Sequence, residues 1–296
     1  MILRYVDAKI LPGYAAVDHG QIRGYSFFVY EGSKGVIGDL YVESAARHGN
    51  GAAGLQAQLL THVIETLQHS PGIHRVEAQL LMHQTGAVAH PFLHAGFRGY
   101  RRLFMVLPLA GAPPKPAGAP PKPAFGLGGM NGQNHISLPP DIELRKWSEV
   151  DFQGAASVIT AAYRGHVDAE INDQYRSVSG SMRFLNNIVR FPGCGIFDGE
   201  SSFVALSRQT KTAVGLILCS RVKDDVGHVT QVCVLPEHRG RQIGESLLAA
   251  STAELRRRRF SSLSLTVTEA NHRAVELYKR LGFDVIRVFD AFVWEG

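Results

Sequence analysis

The sequence predicts an α/β (α+β) sandwich built twice over. Each copy is a mixed, mostly antiparallel sheet flanked by helices, and the first copy is truncated. Three observations carry this reading. Residues 201–234 read as three successive strands, and a helix, strand, helix and strand follow to residue 294. Residues 14–97 repeat that order. Between the two stretches, residues 111–117 read GAPPKPA and residues 118–124 repeat them letter for letter. Proline fixes φ and removes a donor, and glycine raises backbone entropy, so this stretch cannot build a core and reads as a semi-extended linker. The division that follows is 1–108, a linker over 109–140, and 141–296. PPKP also has the form of a ligand for a proline-binding module, but spacers of this composition are common.

The second copy opens with a strand, IELRKW (142–147), and helical stretches over 149–164 and 173–191. SSFVALSR (201–208), AVGLILCSR (213–221) and HVTQVCV (228–234) read as strands. A helix starts near Gly240, with Ile243, Leu247, Ser251 and Leu255 recurring every four positions. SLSLTVT (262–268) is a strand, 271–281 a helix with Ala274, Leu277, Tyr278 and Leu281 on one face, and 285–294 a last strand. In the first copy YAAVDHG, IRGYSFFVYEG and KGVIGDLYV are strands. Leu55, Leu59, Val63 and Leu67 stripe a helix, HRVEAQLLM is a strand, and AVAHPFLHAGF parallels AVELYKRLGF. The opening strand and its two helices have no counterpart there.

At 296 residues the chain suits two domains. With 45% hydrophobic and 19% charged residues it is not a disordered chain. No apolar run approaches the ~18 residues of a membrane helix. Arg4 and Asp7 interrupt the apolar stretch that a signal peptide needs, so no secretion is expected. Three cysteines without CxxC spacing argue against a disulfide framework and a structural zinc site, and suit a reducing cytoplasm. The net charge of +5 fits a polyanionic small ligand as well as nucleic acid and decides between neither. Arg256–Arg259 reads as a solvated helix end, favourable at the negative pole of the helix dipole. No aromatic residues interleave it, which argues against a nucleic-acid patch.

The chemistry gathers in VCVLPEHRGRQIGESLL (232–248). A strand ends at Val234, a turn follows, and a helix begins within RGRQIG. Free N–H groups at a helix N-terminus, glycines that admit close approach, and the cations Arg239 and Arg241 make a pyrophosphate cradle. An ordinary turn bearing a solvated arginine pair has the same composition. TVTEANHRAVELYKRLGF (266–283) follows downstream.

This pair of blocks resembles the GNAT superfamily of acetyl-CoA-dependent N-acetyltransferases, whose phosphate loop is (Arg/Gln)-x-x-Gly-x-(Gly/Ala) and whose last helix carries Asn…Ala…LeuTyr…GlyPhe. The resemblance covers 141–296 in element order, and 1–108 more weakly. The tandem arrangement is similar to that of the mycothiol synthases. It implies acetyl-CoA as co-substrate, with Arg239, Gly240, Arg241, Gln242, Ile243 and Gly244 on its pyrophosphate. It also implies that Val232, Cys233 and Val234 pair with the pantetheine arm, and that Asn271 contacts that arm. Tyr278 matches the tyrosine that protonates the leaving thiolate. Gln242 stands where glycine is usual and costs ~1 kcal/mol if its φ is positive.

The acceptor amine must lose a proton. The family's glutamates are replaced here by Thr266 and His228; His228 is the candidate base, with Glu237 and Glu269 behind it. Cys233 as a nucleophile is outweighed by a buried core cysteine. In the first copy His48-Gly49-Asn50-Gly51-Ala52-Ala53 takes the loop position, but Phe92 stands at the tyrosine's place, which implies a structural or cofactor-only role. Tyr163, His166, Asp168 and Tyr175 are expected at the acceptor wall. The acceptor is a small-molecule or peptide amine, without a membrane partner, and a homo-oligomer stays open. Two other readings also stay open, a non-catalytic acyl-CoA-binding sensor or scaffold and an aminoacyl transferase on the same tandem fold.

Overall fold

The computed structural model describes residues 11–43, 51–109, 138–191 and 195–296. The expectations for the first ten residues, for the loop at His48–Asn50, for the linker repeat and for Cys194 lie outside the described residues. The first copy runs β1 (Gly13–Asp18), β2 (Gln21–Glu31), β3 (Lys34–Val42), α1 (Gly51–Gln68), β4 (Arg75–Gln79), α2 (Ala89–His94) and β5 (Arg98–Pro108). The second runs β6 (Ile142–Lys146), α3 (Phe152–Ala162), α4 (Val178–Val189), β7 (Ile196–Phe197), β8 (Phe203–Ser207), β9 (Ala213–Lys223), β10 (Val226–Val234), α5 (Ile243–Arg257), β11 (Ser262–Thr268), α6 (His272–Arg280) and β12 (Asp284–Glu295). Elements β1 to β5 thus repeat β8 to β12. Among the described residues β6, α3 and α4 have no counterpart in the first copy.

Some boundaries differ from expectation for local reasons. The helical stretch at 149–164 starts as a 3-10 turn, Glu149–Asp151. The stretch at 173–191 is broken. Single turns span Asp168–Ile171 and Asp173–Arg176. Ser177 is then extended, and its hydroxyl accepts from the Gly180 N–H at 3.0 Å, so the helix proper begins at Val178. The Arg256–Arg259 run is only partly solvated. Arg258 Nη1 donates to both oxygens of Asp198, at 2.7 and 2.8 Å, and its guanidinium lies over the Phe260 ring.

The two copies share one sheet of twelve strands among the described residues, ordered β1-β2-β3-β4-β12-β5-β11-β10-β9-β8-β6, with β7 beside β9. The order exchanges the last strands. β5 of the first copy pairs antiparallel with β11 of the second, from Ser262↔Pro108 to Thr268↔Arg102. β12 pairs with β4, from Ala291↔Gln79 to Glu295↔Arg75, and on its other side with β5. The cores follow the exchange. Leu103, Met105 and Leu107 of β5 pack in the core under α5 and α6. Phe292 of β12 packs in the core under α1, stacked at 4.2 Å on Phe92. Phe92 is fully buried, so the residue at the tyrosine's position in the first copy is a core residue. A third core joins α3 and α4 to Leu216, Leu218 and Cys233.

Candidate active site

β10 and β11 run parallel and pair only from Val226↔Ser262 to Val229↔Leu265. Both continue, to Val234 and Thr268, without pairing each other. A register shift against β9 between Val229 and Gln231 turns β10 at that point. The strands splay, and a cavity of about 430 Å³ opens between them. Val232, Cys233 and Val234 line one side, and Leu265, Thr266 and Val267 the other. Backbone groups of β10 that face the wedge have no strand partner there, so an extended ligand can take the place of one.

The loop after β10 closes one end. Gly240 has φ +78° and Gln242 φ +60°, the left-handed region, and α5 begins at Ile243. Gln242 therefore carries the backbone cost expected for a side chain there. Gly240, Gln242, Ile243 and Gly244 line the cavity, with the positive pole of a fifteen-residue helix beneath them. The arginines hold the loop. Arg239 donates to the carbonyls of Val234 (3.3 Å) and Ala162 (2.5 Å). Arg241 bonds Asp141 at 2.5 Å, meets His238 Nδ1 at 3.2 Å, and does not line the cavity. The free cation at this end is Arg273, in the first turn of α6. It is exposed, lines the cavity beside Gly240, and has no partner among the described residues.

Tyr278 and the expected acceptor wall form the other part of the lining. Tyr278 is buried, and no side chain among the described residues holds its hydroxyl. Burial first, then the nearby Asp168 and Cys233, push its pKa above the ordinary phenol range, so it keeps its proton. Tyr163 donates to Gln231 Oε1 at 2.7 Å and stacks on Tyr175 at 4.4 Å. Burial raises both phenols as well. Asp168 accepts from Thr268 Oγ1 and from Arg102 Nη1 at 3.3 Å.

His166 stands between Asp168 and Asn271. Asn271 Oδ1 caps α6 by accepting from the Ala274 N–H at 3.3 Å, so its amide NH₂ faces His166 Nε2, 3.2 Å away. At Nδ1 lie the Asp168 N–H (3.1 Å) and the Asp168 carboxylate (3.6 Å). Nδ1 thus accepts from the Asp168 N–H, and the carboxylate lies beyond hydrogen-bond distance. Both ring nitrogens therefore face donors, the Asp168 N–H and the Asn271 amide, which fix the plane of the ring.

His228 is not brought to this cavity. It lies against Phe104 and its Nδ1 meets Ser264 Oγ at 2.9 Å. Burial lowers its pKa to about 4. It therefore stays neutral in the fold at pH values where the unfolded chain, with an ordinary value of 6.5, is protonated. The stability present above pH 6.5 is lost progressively as pH falls toward 4. Denaturant unfolding at pH 7 and pH 5 is expected to show a smaller loss in His228→Gln than in the parent; an equal loss refutes the burial argument. Glu237 and Glu269 do not line the cavity either, and Glu269 pairs with Arg101 at 3.3 Å. Cys233 lines it with its pKa pushed up to about 12 by burial, which is a core thiol's behaviour and not a nucleophile's.

Among the lining residues not singled out from the sequence, three bear on the chemistry. Arg273 stands in the NHRAVELY block, two positions after Asn271, where its charge was a usable signal. Gln231 is a polar residue in a buried strand. Its Oε1 accepts from Tyr163 and from the Val232 N–H at 3.1 Å, while its buried Nε2 has no partner. Arg102 comes from the first copy, and only the strand exchange brings it here.

Comparisons with known proteins bear on the family and the fold. The sequence model of the Acetyltransferase (GNAT) family matches residues 170–283. A mycothiol acetyltransferase of Thermobispora bispora is 47% identical over 58 residues, a match that spans 20% of this chain and only 20% of that protein. A GCN5-related N-acetyltransferase from Sphaerobacter thermophilus superposes with a TM-score of 0.63 at 18% identity, covering 93% of this chain and 78% of that one. A tandem GNAT protein from the clavulanic acid biosynthesis pathway gives 0.58 at 15% identity, covering 96% and 82%. The structural likenesses are of fold. The chain resembles the GNAT acetyltransferases in the sequence of its second half and in its tandem architecture. No helix among the described residues is long and apolar enough to cross a membrane.

Proposed function

We propose that this chain moves the acetyl group of acetyl-CoA to the primary amine of a small molecule or peptide, by direct attack, in the unit formed by residues 141–296 together with β5. One observation carries the reading. A single cavity holds an anion cradle at one end and, at the other, a protonated phenol beside an oriented imidazole. The free, buried Cys219 and Cys233 suit the reducing cytoplasm.

The residues fit the co-substrate. The N-terminus of α5, Gly240 and Arg273 take its pyrophosphate, and the unpaired edge of β10 takes its pantetheine arm. In the reaction the amine nitrogen attacks the acetyl carbon, and the carbon–sulfur bond breaks. The departing thiolate takes the Tyr278 proton, and the proton lost by the amine goes to the imidazole of His166. Gln231 Nε2, a donor without an acceptor, serves the carbonyl oxygen. His166 thus takes the role that the sequence suggested for His228.

Calorimetric titration of the full chain with acetyl-CoA tests the cradle. Gly240→Pro cannot adopt φ +78°, and Gly244→Asp places a carboxylate at the helix N-terminus. Each is expected to weaken binding about tenfold or more, some 1.4 kcal/mol. Parent-like affinity in both variants moves the site elsewhere. A screen of amines for thiol release tests the chemistry, and saturable binding without release by any amine leaves only a binding module. With an accepted amine, His166→Gln is expected to lower kcat/KM by about 10²–10⁴-fold. His228→Gln is expected to leave it near the parent.

A further inference from the structure

The segment between α3 and α4 carries His166, Asp168 and Tyr175, yet it has little structure of its own. Its two turns, Asp168–Ile171 and Asp173–Arg176, are four residues each, too short to hold themselves. Beside contacts from Thr268, Asn271 and Ser181 of the second copy, what holds them comes from the ends of β3, β4 and β5 in the first copy. Lys34 Nζ donates to Asp173 Oδ1 at 2.9 Å and to Glu77 Oε2 at 3.2 Å, and its side chain is only 7% exposed. Arg75, equally buried, reaches the Glu170 carbonyl, Glu77 Oε1 at 2.5 Å and Glu295. Tyr100 donates to Glu170 Oε2 at 2.7 Å. Arg102 donates to Asp168 Oδ1, and its Nε is buried without a partner among the described residues. On the far side Arg176 ties the Ala169 carbonyl (2.8 Å) and Glu295 (2.8 Å) into the same network. Gln79 and Arg102 also line the cavity itself.

We propose that the first copy is the acceptor-positioning element of the site: Lys34, Arg75, Tyr100 and Arg102 hold residues 166–176, and so His166 and Asp168, in place over the cavity. The charges are held up against burial by each other. Burial opposes the Lys34 ammonium, but Glu77 and Asp173 outweigh it, and its pKa stands above the ordinary lysine value. Buried ion pairs of this kind add little net stability compared with apolar packing; what they supply is one geometry in place of several. Here the geometry they select is that of the acceptor turn. The copy without the acid tyrosine therefore decides which amine fits, while the other copy carries the cradle and Tyr278. Lys34, Arg75 and Tyr100 act through the turn and are positioning residues; Arg102 also borders the acceptor space.

The word acceptor rests on the proposed function; the tethering does not, and the experiment separates the two. Full-length Tyr100→Phe and Lys34→Met are compared with the parent by hydrogen exchange, acetyl-CoA titration and, with an accepted amine, steady-state kinetics. Exchange across 163–177 is expected to rise about tenfold or more while that of β10 and α5 is unchanged. Acetyl-CoA affinity is expected to stay within about twofold, and the amine KM to rise more than kcat falls. Lys34→Arg is expected to restore protection. Folded variants with unaltered protection at 163–177 overturn the inference, as does protection lost evenly across the sheet, which marks a merely structural role. Tyr100→Phe, losing one hydroxyl, keeps the test decisive if Lys34→Met does not fold. Loosened turns in a parent that acetylates no amine leave the tethering standing and sink the proposed function.

Discussion

Tyr278→Phe is expected to lower kcat by about 10²–10⁴-fold, the range that a positioned general acid supplies. Acetyl-CoA affinity is expected to hold, because the hydroxyl has no side-chain partner among the described residues and the ring keeps its packing against Phe283, 5.8 Å away between centroids. A free thiol has a pKa near 8.5, so at neutral pH the departing thiolate is a good nucleophile and reverses the step unless it is protonated. A phenol raised above its ordinary value holds its proton across the working range and so stands in its acid form at the cavity. Transfer of that proton to the thiolate, the weaker base, is uphill and is completed when the phenolate is reprotonated from solvent. Asp168 contributes to that raised value, so the residue that orients His166 also keeps Tyr278 protonated. Rapid-quench and steady-state measurements with a fixed amine read the effect. A kcat within twofold of the parent refutes the acid role, and a parallel loss of acetyl-CoA affinity shows that the hydroxyl binds the co-substrate rather than supplying a proton.

Much of this site was legible before the fold was known, because its parts are local. The strand, turn and helix of 232–248 are contiguous, and so are the cap and stripe of 271–281. Hydrophobic period and glycine placement report such units directly. The positive φ at Gln242 was readable as a cost for the same reason. What escaped were contacts between distant segments. His228 was the candidate base from its place at a family glutamate, but whether a strand's end faces a cavity or a core depends on what covers it, here Phe104 from β5. Arg102 and Gln79 have no local signal at all, since their place follows from a strand exchange that period-two alternation cannot encode. The break at Ser177 was missed because the apolar positions of 173–191 keep a helical period across it, while the serine's own backbone bonding ends the turn before it.

A chain cut to residues 136–296 is expected not to fold on its own, although those residues hold the whole cradle and both proton-transfer groups. The cut removes β5, which lies between β11 and β12 and pairs with both along its length. It leaves two open strand edges, a template for aggregation. It also takes Leu103, Met105 and Leu107 out of the core beneath α5 and α6. Deleting one such side chain costs about 2–5 kcal/mol. Three together come to roughly 6–15 kcal/mol, the same scale as the roughly 5–15 kcal/mol by which a domain is stable. In return β12 loses β4 and exposes Phe292, which in the intact chain stacks on Phe92. The linker between the copies is not the cause, so its covalent continuity is dispensable. Co-expression of residues 1–109 with 138–296 is expected to give a soluble one-to-one complex that unfolds in a single transition and binds acetyl-CoA as the intact chain does. Circular dichroism, sedimentation and calorimetry on the three preparations check this. A monomeric, cooperatively folded 136–296 segment, or a pair of segments that stay apart, means that the exchanged strands do not hold the two copies together.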